Sequence, residues 1–176
     1  MIGDWRVVSQ PGAMVVGTRE LLAEGRSHQL AGRLREAAEC CALAVDAAES
    51  SGALADSSEA LRRLAIVHHL QGEAGAATMY CHRSREVAMR LNDLVLTADA
   101  TVAMANMAFE HGRLTEARKL YREAIALATG QPDFAARIEQ NLGNLESVQG
   151  NFEAALGHFD QALTAYRTIG DQRGDG

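Results

Sequence analysis

The sequence predicts an all-α protein, a solenoid in which helical hairpins of about 40 residues stack one on the next. Alanine and leucine dominate the composition, and the 176 residues include only 2 prolines. Four glycines recur in register, separated by 40, 40 and 38 residues: Gly32, Gly72, Gly112 and Gly150. On both sides of each glycine the apolar residues follow the period of an amphipathic helix. We therefore predict four helical hairpins with a glycine at each turn.

Small residues recur at two fixed positions around each turn glycine. Five residues after the glycine stands an alanine, in turn Ala37, Ala77, Ala117 and Ala155. Seven residues before it stands another small residue, in turn Gly25, Ala65, Ala105 and Gly143. A small side chain lets two helices approach closely, so we expect Gly143 to lie where the helices of its hairpin cross, with Ala155 facing it.

A second series of helix breakers divides the chain into units. Gly52, Asn92, Gly130 and Gly170 are suited to a left-handed helix cap, and Asp93 and Asp171 can cap the helices that follow. These breakers predict a non-repeat leader at 1–17, a repeat domain at 18–171 and a tail at 172–176. The units are 18–52, 53–92, 93–130 and 131–171. The third unit is two residues shorter after its turn, so its second helix should be about half a turn short.

The fourth unit carries the fullest version of the repeated pattern, in Gly143, Gly150, Ala155, Phe159 and Ala162. This pattern resembles the tetratricopeptide repeat family, in its longer variant of about 40 residues per repeat. The resemblance implies a right-handed α-α superhelix of four helix-turn-helix units. It also implies that the first helix of each unit lines a concave groove, which binds a peptide or a helix of a partner protein.

The resemblance assigns four residues of each first helix to this groove, at the helical spacing i, i+3, i+7 and i+10. They are Arg19, Leu22, Arg26 and Gln29; Glu59, Arg62, Ile66 and His69; Asp99, Val102, Asn106 and Phe109; and Arg137, Gln140, Asn144 and Ser147. Four arginines against two acids favour a ligand that is acidic or ends in a free carboxylate. Asn106 and Asn144 share one column, where an amide can hold an extended peptide backbone. The alternative is that these positions are polar only because they face water.

Composition and charge exclude several classes of function. A net charge of -6 argues against binding to nucleic acid or to an anionic membrane. Neither a secretory signal nor an apolar run long enough to span a bilayer is present in the sequence. Three cysteines form an odd count without a disulfide-rich spacing, which favours free thiols in a reducing compartment. We therefore expect a cytoplasmic protein.

Motifs for catalysis or cofactor binding are also missing from the sequence. It has neither a phosphate-binding glycine loop nor a strand pattern that could carry a nucleophile, so we predict no enzyme and no cofactor. His68, His69, Cys81 and His82 could approach one another as zinc ligands. Adjacent histidines point in different directions, however, and Cys81 occupies a core position, so the prediction is that they hold no metal.

These observations favour a non-catalytic scaffold or adaptor that binds a protein or peptide segment. The alternative is an intracellular peptide-sensing domain of a larger signalling or transcription-regulatory system. In the last helix, more apolar residues occur than one face can bury: Leu156, Leu163, Ala165, Tyr166 and Ile169. We therefore expect either a longer repeat array or a homo-oligomer formed through this helix. The leader should cover the open end of the first unit, or else reach a groove or a neighbouring subunit.

Overall fold

A computed structural model describes residues 17–128 and 130–174, which form eight α-helices. In chain order these are α1 (Thr18–Leu30), α2 (Leu34–Ser51), α3 (Leu54–Leu70), α4 (Ala74–Arg90), α5 (Leu94–Glu110), α6 (Leu114–Leu127), α7 (Pro132–Val148) and α8 (Phe152–Gly174). The expectations for the leader fall on residues 1–16, which lie outside the described residues.

Consecutive helices pair into four hairpins, α1–α2, α3–α4, α5–α6 and α7–α8, and each hairpin packs on the next. Three buried apolar clusters follow one another along the stack, from Ala37 and Leu61 at one end to Ile138 and Leu145 at the other. The predicted all-α architecture of stacked helix-turn-helix repeats is confirmed.

The four turn glycines adopt the left-handed conformation that the sequence predicts for them. Their φ angles are 74° at Gly32, 81° at Gly72, 72° at Gly112 and 80° at Gly150. At the third turn, the Arg113 N–H donates back to the Ala108 carbonyl at 2.8 Å, which closes the end of α5. A side chain at any of these positions would strain the backbone.

Three of the four predicted caps between units are also left-handed, at Gly52, Asn92 and Gly130. The prediction for Gly170 is wrong, because α8 continues without a break as far as Gly174. The Asp93 carboxylate caps α5 by accepting hydrogen bonds from the Val95 and Leu96 N–H groups, both at 3.0 Å. As expected, α6 is short, with 14 residues against 17 in α4 and 18 in α2.

Helices approach most closely at the small residues of the repeat. Ala77, Ala117 and Ala155 are buried, as their register requires. A β-carbon added at Gly143 would overlap the ring of Phe159. The sequence predicted that Ala155 would face this glycine, whereas the aromatic ring four residues further along α8 faces it. None of the helices in 17–128 and 130–174 combines the length and apolar character needed to cross a bilayer.

Candidate functional site

The first helices of the hairpins stand side by side and form the concave surface of the stack. Helix α1 contacts α3, and α3 contacts α5. Side chains of α1, α3, α5 and α7 enclose a cavity of about 850 Å³, which we call the concave groove. Its size falls within the range of about 300–1,000 Å³ that is usual for ligand pockets.

Half of the side chains that the resemblance assigned to this surface line the concave groove. They are Arg26, Gln29, Arg62, Ile66, Asp99, Val102, Asn106 and Arg137. Phe109 and Asn144 instead line a smaller cavity of about 260 Å³, which also includes Asn106. The remaining six, Arg19, Leu22, Glu59, His69, Gln140 and Ser147, line neither cavity.

Several groove residues were not predicted from the sequence, among them Leu30, Arg63, Val95, Phe134 and Asn141. Helix α7 contributes five lining residues to the two cavities: Asp133, Phe134, Arg137, Asn141 and Asn144. The last four have the same spacing of i, i+3, i+7 and i+10 that was used for the prediction, but their series begins at Phe134, three residues before Arg137. A stripe started at Phe134 would have found them.

The charge of the concave groove is opposite to that of the whole chain. Four arginines and two aspartates line it, for a net charge of +2, whereas the chain carries -6. The charged members are Arg26, Arg62, Arg63, Arg137, Asp99 and Asp133. A locally positive cavity attracts anionic groups and repels cations.

Arg62 is the most enclosed of the four groove arginines. Its side chain is 18% exposed, and its ion pair with Glu59 is long, at 3.8 Å from Nη2 to Oε1. Burial lowers the pKa of the Arg62 guanidinium, and the nearby Asp99 carboxylate opposes this shift. A charge with little water and a distant partner gains more from a ligand carboxylate than an exposed one would.

Arg137 and Asp99 connect the third and fourth hairpins across the groove. Arg137 Nη2 lies 3.4 Å from Asp99 Oδ1, and its guanidinium carbon lies 4.8 Å from the centre of the Phe134 ring. The ring fixes the position of the guanidinium by a cation–π contact. Since one guanidinium has five N–H donors, Arg137 can bind Asp99 and still donate to a ligand.

Asn106 sits between the two cavities, with its amide oriented by neighbouring side chains. Tyr121 Oη donates to Asn106 Oδ1 at 2.6 Å, and Asn141 Nδ2 donates to the same oxygen at 3.4 Å. Burial, with a smaller contribution from Glu110, raises the pKa of Tyr121 to about 12, so its hydroxyl remains a donor at neutral pH. These bonds occupy the Asn106 oxygen and leave its amide nitrogen to donate to a ligand.

Of the residues weighed as zinc ligands, two histidines and the cysteine contact different partners. His68 Nδ1 lies 2.6 Å from Glu73 Oε2, and His69 Nε2 lies 2.5 Å from Glu110 Oε2. Cys81 is fully buried, and its thiol faces Met107 Sδ at 3.9 Å. Burial raises the pKa of Cys81 to about 12, which keeps this thiol protonated.

Two family models, both for the tetratricopeptide repeat, match residues 56–130 and 140–169. The chain belongs to the tetratricopeptide repeat family. Tetratricopeptide repeats generally mediate protein–protein interactions, and proteins built from them are typically non-catalytic. The chain matches no curated protein sequence significantly.

Solved tetratricopeptide-like structures share the fold of this chain. BtubC from P. vanneervenii superposes with a TM-score of 0.71 at 20% identity, over 87% of this chain and 64% of that one. Two structures of MamA superpose with TM-scores of 0.59 and 0.57, each at 21% identity. The alignments cover 89% and 88% of this chain and 82% and 75% of the MamA chains. The chain therefore spans less than two thirds of BtubC and most of MamA, and the likeness extends to the fold alone.

Proposed function

We propose that this tetratricopeptide repeat protein is a non-catalytic scaffold or adaptor that binds a peptide segment in its concave groove. The ligand segment is acidic or ends in a free carboxylate. The observation that carries this proposal is the position of Arg62, an enclosed cation with a distant partner in a cavity of net charge +2. This cavity is positive although the chain carries a net charge of -6, which favours an anionic ligand over a solvated polar surface.

Other side chains around Arg62 can contact the parts of the peptide beyond the carboxylate that Arg62 binds. Arg26 and Arg137 extend the positive surface towards α1 and α7, so that a second acidic side chain can also be paired. The Asn106 amide nitrogen can donate to a backbone carbonyl of the ligand, and Asn144 in the adjoining cavity can bind the next one. Leu30 and Val95 provide exposed apolar contacts at the edge of the groove.

A second function, peptide sensing, is favoured by the contact between Asp99 and Arg137. Their ion pair joins α5 to α7, and a ligand carboxylate would compete with Asp99 for the same guanidinium. Binding would then loosen one connection between neighbouring hairpins and change the curvature of the superhelix. In a larger signalling or transcription-regulatory system, this change of shape would be the output. Scattering with and without ligand distinguishes the two functions, because only the sensor changes shape.

Self-association through α8 forms part of the same proposal. Leu156, Leu163 and Tyr166 are 64%, 46% and 42% exposed on this helix. In α2, the positions equivalent to Leu163 and Tyr166 are Val45 and Ala48, which are 5% and 0% exposed because the next hairpin covers them. A second copy of the chain can cover the α8 surface through an isologous contact. A cytoplasmic location also belongs to the proposal, since the three free thiols suit a reducing compartment.

The proposed ligand class is tested by selecting binders from a displayed peptide library against the whole chain. We expect acidic sequences or free C-termini to be enriched, and Arg62→Gln to weaken a selected peptide by at least about tenfold, as for a lost charged partner. Arg122→Gln is the matched control, because this exposed arginine of α6 lies outside the groove lining. Alanine at both Asn106 and Asn144 should weaken the same peptide. Selected peptides that bind Arg62→Gln as well as the natural chain would refute the proposal.

A further inference from the structure

The first hairpin brings together three metal-ligating side chains outside the concave groove. Glu24 and His28 lie one turn apart on α1, and Cys40 lies opposite them on α2. One ligand atom from each can be chosen so that all three lie within 4.8 Å of one another. The His28 Nε2 and Glu24 Oε1 atoms are 3.6 Å apart. His28 and Cys40 are half-buried, and Glu24 is exposed, so the cluster is accessible from solvent.

The equivalent positions of the other hairpins hold mostly side chains of a different kind. They are Leu64, His68 and Tyr80 in the second, Met104, Ala108 and Leu120 in the third, and Leu142, Glu146 and His158 in the fourth. The His68 and Tyr80 rings stack with their centres 5.2 Å apart, which shows that these positions face each other across a hairpin. The family architecture accounts for the proximity, but it does not account for a carboxylate, an imidazole and a thiol meeting there.

The electrostatic surroundings of the thiol favour a cation. Partial burial raises the pKa of Cys40, and the carboxylates of Glu24 and Glu39 raise it further. A divalent ion at this point would reverse the effect of both carboxylates, because it stabilises the thiolate. One carboxylate and one thiolate would together neutralise the ion.

We propose that Glu24, His28 and Cys40 bind Zn²⁺, with water as the fourth ligand. A set of sulfur, nitrogen and oxygen donors suits zinc, whereas Mg²⁺ and Ca²⁺ require oxygen. Zinc bonds of about 2.0–2.3 Å place tetrahedral ligand atoms about 3.3–3.6 Å apart. Glu24 and His28 already have this separation. Closing the site on Cys40 therefore needs a movement of about 1 Å, which rotation of half-buried side chains can supply.

Arg33 controls whether His28 can bind the ion. Its Nε donates to His28 Nδ1 at 2.9 Å, so the neutral imidazole carries its proton on Nε2, facing Glu24. Zinc needs the lone pair of Nε2, which requires the proton to move to Nδ1, where Arg33 offers no acceptor. Arg33 is exposed and must turn away when zinc binds. The binding step converts Zn²⁺ and the Cys40 thiol into a zinc thiolate and releases one proton to solvent.

A Co²⁺ titration of the whole reduced chain tests this site, because thiolate ligation gives a sulfur-to-cobalt charge-transfer band. We expect saturation at one equivalent, displacement of Co²⁺ by Zn²⁺, and loss of the band in Cys40→Ser. His28→Asn should weaken binding at least about tenfold, and Arg33→Gln should tighten it about tenfold, because the new amide oxygen accepts from Nδ1–H. Cys81→Ala is the control that should keep the band, since Cys81 lies in another hairpin.

Circular dichroism of each variant shows whether it is folded, and so distinguishes the loss of a metal ligand from the loss of the fold. A folded natural chain that gives no charge-transfer band with Co²⁺ would overturn the proposal. A band that survives Cys40→Ser but disappears in Cys81→Ala would also overturn it. The peptide-binding proposal is unaffected by either result, because none of the three ligands lines the concave groove.

Discussion

The first and last hairpins have the same backbone plan but differ at the point where their helices cross. In α1–α2, Gly25 faces Cys41, and a β-carbon added at Gly25 would lie 3.2 Å from the sulfur. In α7–α8, the equivalent glycine, Gly143, lies directly under the Phe159 ring. The column of small residues therefore sets how closely the helices approach. The residue opposite then decides whether the glycine can be replaced.

The two hairpins also differ in the polar pair that spans their turns. Arg33 donates to His28 in the first, and Asn151 Nδ2 donates to Glu146 Oε2 at 2.8 Å in the last. Glu146 also accepts from Arg118 Nε of the third hairpin, at 2.8 Å. The pair in the last hairpin therefore joins two repeats, whereas the pair in the first is local. Because Glu146 is buried and accepts both bonds as a carboxylate, we expect the last hairpin to lose stability when this group is protonated.

Alanine in place of Gly25 or Gly143 should give the largest difference between the hairpins in the free energy of unfolding. Gly143→Ala forces the Phe159 ring out of its position, and we expect a loss of about 1–3 kcal/mol in the free energy of unfolding, as in other overpacked sites. Gly25→Ala should change it by less than about 1 kcal/mol, because the higher helix propensity of alanine offsets a tight contact with sulfur. Urea unfolding of both variants measures the difference.

Gly157→Ala is the control for these substitutions, since it lies in α8 with open space around its Cα. This change should stabilise the chain by up to about 1 kcal/mol through helix propensity alone. Combining Gly143→Ala with Phe159→Leu should recover part of the loss, because the smaller side chain makes room for the methyl group. Equal changes in the free energy of unfolding for Gly143→Ala and Gly157→Ala would contradict the packing of Phe159 on Gly143.

Acid should weaken the last hairpin through Glu146. Hydrogen bonds from Asn151 and Arg118 hold the pKa of this carboxyl below its usual value, although burial acts in the opposite direction. Its stabilisation is therefore present above the unfolded pKa of about 4.3 and is lost as the pH falls through the folded pKa. At neutral pH, Glu146→Gln should cost about 1.5–3 kcal/mol, which is typical of a hydrogen bond to a charged group.

Urea unfolding at neutral pH and at about pH 3 checks this expectation, since the Glu146 carboxyl of the unfolded chain is ionised at the first pH and mostly protonated at the second. The difference in the free energy of unfolding between the natural chain and Glu146→Gln should be smaller in acid. Glu153→Gln serves as the control, because Glu153 is exposed in the first turn of α8. If this difference in the free energy of unfolding does not change with pH, the Glu146 carboxylate does not stabilise the junction between the third and fourth hairpins.

The smallest effect on folding is expected on the outer surface of α8. Leu163→Lys with Tyr166→Glu should change the free energy of unfolding by less than about 0.5 kcal/mol, since both residues are partly exposed. The same change should abolish self-association in sedimentation velocity. A natural chain that is monomeric at high concentration would reject the α8 contact. A dimer that persists in the variant would place the contact on another surface.

The repeat plan could be predicted because its signals are local. A turn glycine such as Gly112 specifies its own backbone conformation, and the spacing of such residues specifies the hairpins. The cap predicted at Gly170 failed because a glycine ends a helix only where its surroundings favour the left-handed conformation. In α8 the helical bonds continue instead.

Side-chain placement was harder to predict, because it depends on how each helix is rotated in the stack. Gln140 was assigned to the groove by its place in the repeat, whereas its neighbour Asn141 lines it. The one-turn spacing of Glu24 and His28 is visible in the sequence. The approach of Cys40 depends on how α2 packs on α1, which the columns of small residues alone do not determine.

We propose that the ligand site is the concave groove and not the apolar surface of α8. Chemical-shift mapping with an acidic peptide from the display selection tests it most directly. We predict that binding shifts the side-chain amide signals of Asn106 and Asn141 and leaves the methyl signals of Leu156 and Leu163 unchanged. Arg62→Gln should suppress those shifts. Shifts confined to Leu156 and Leu163, with the groove amide signals unchanged, would exclude the concave groove as the ligand site.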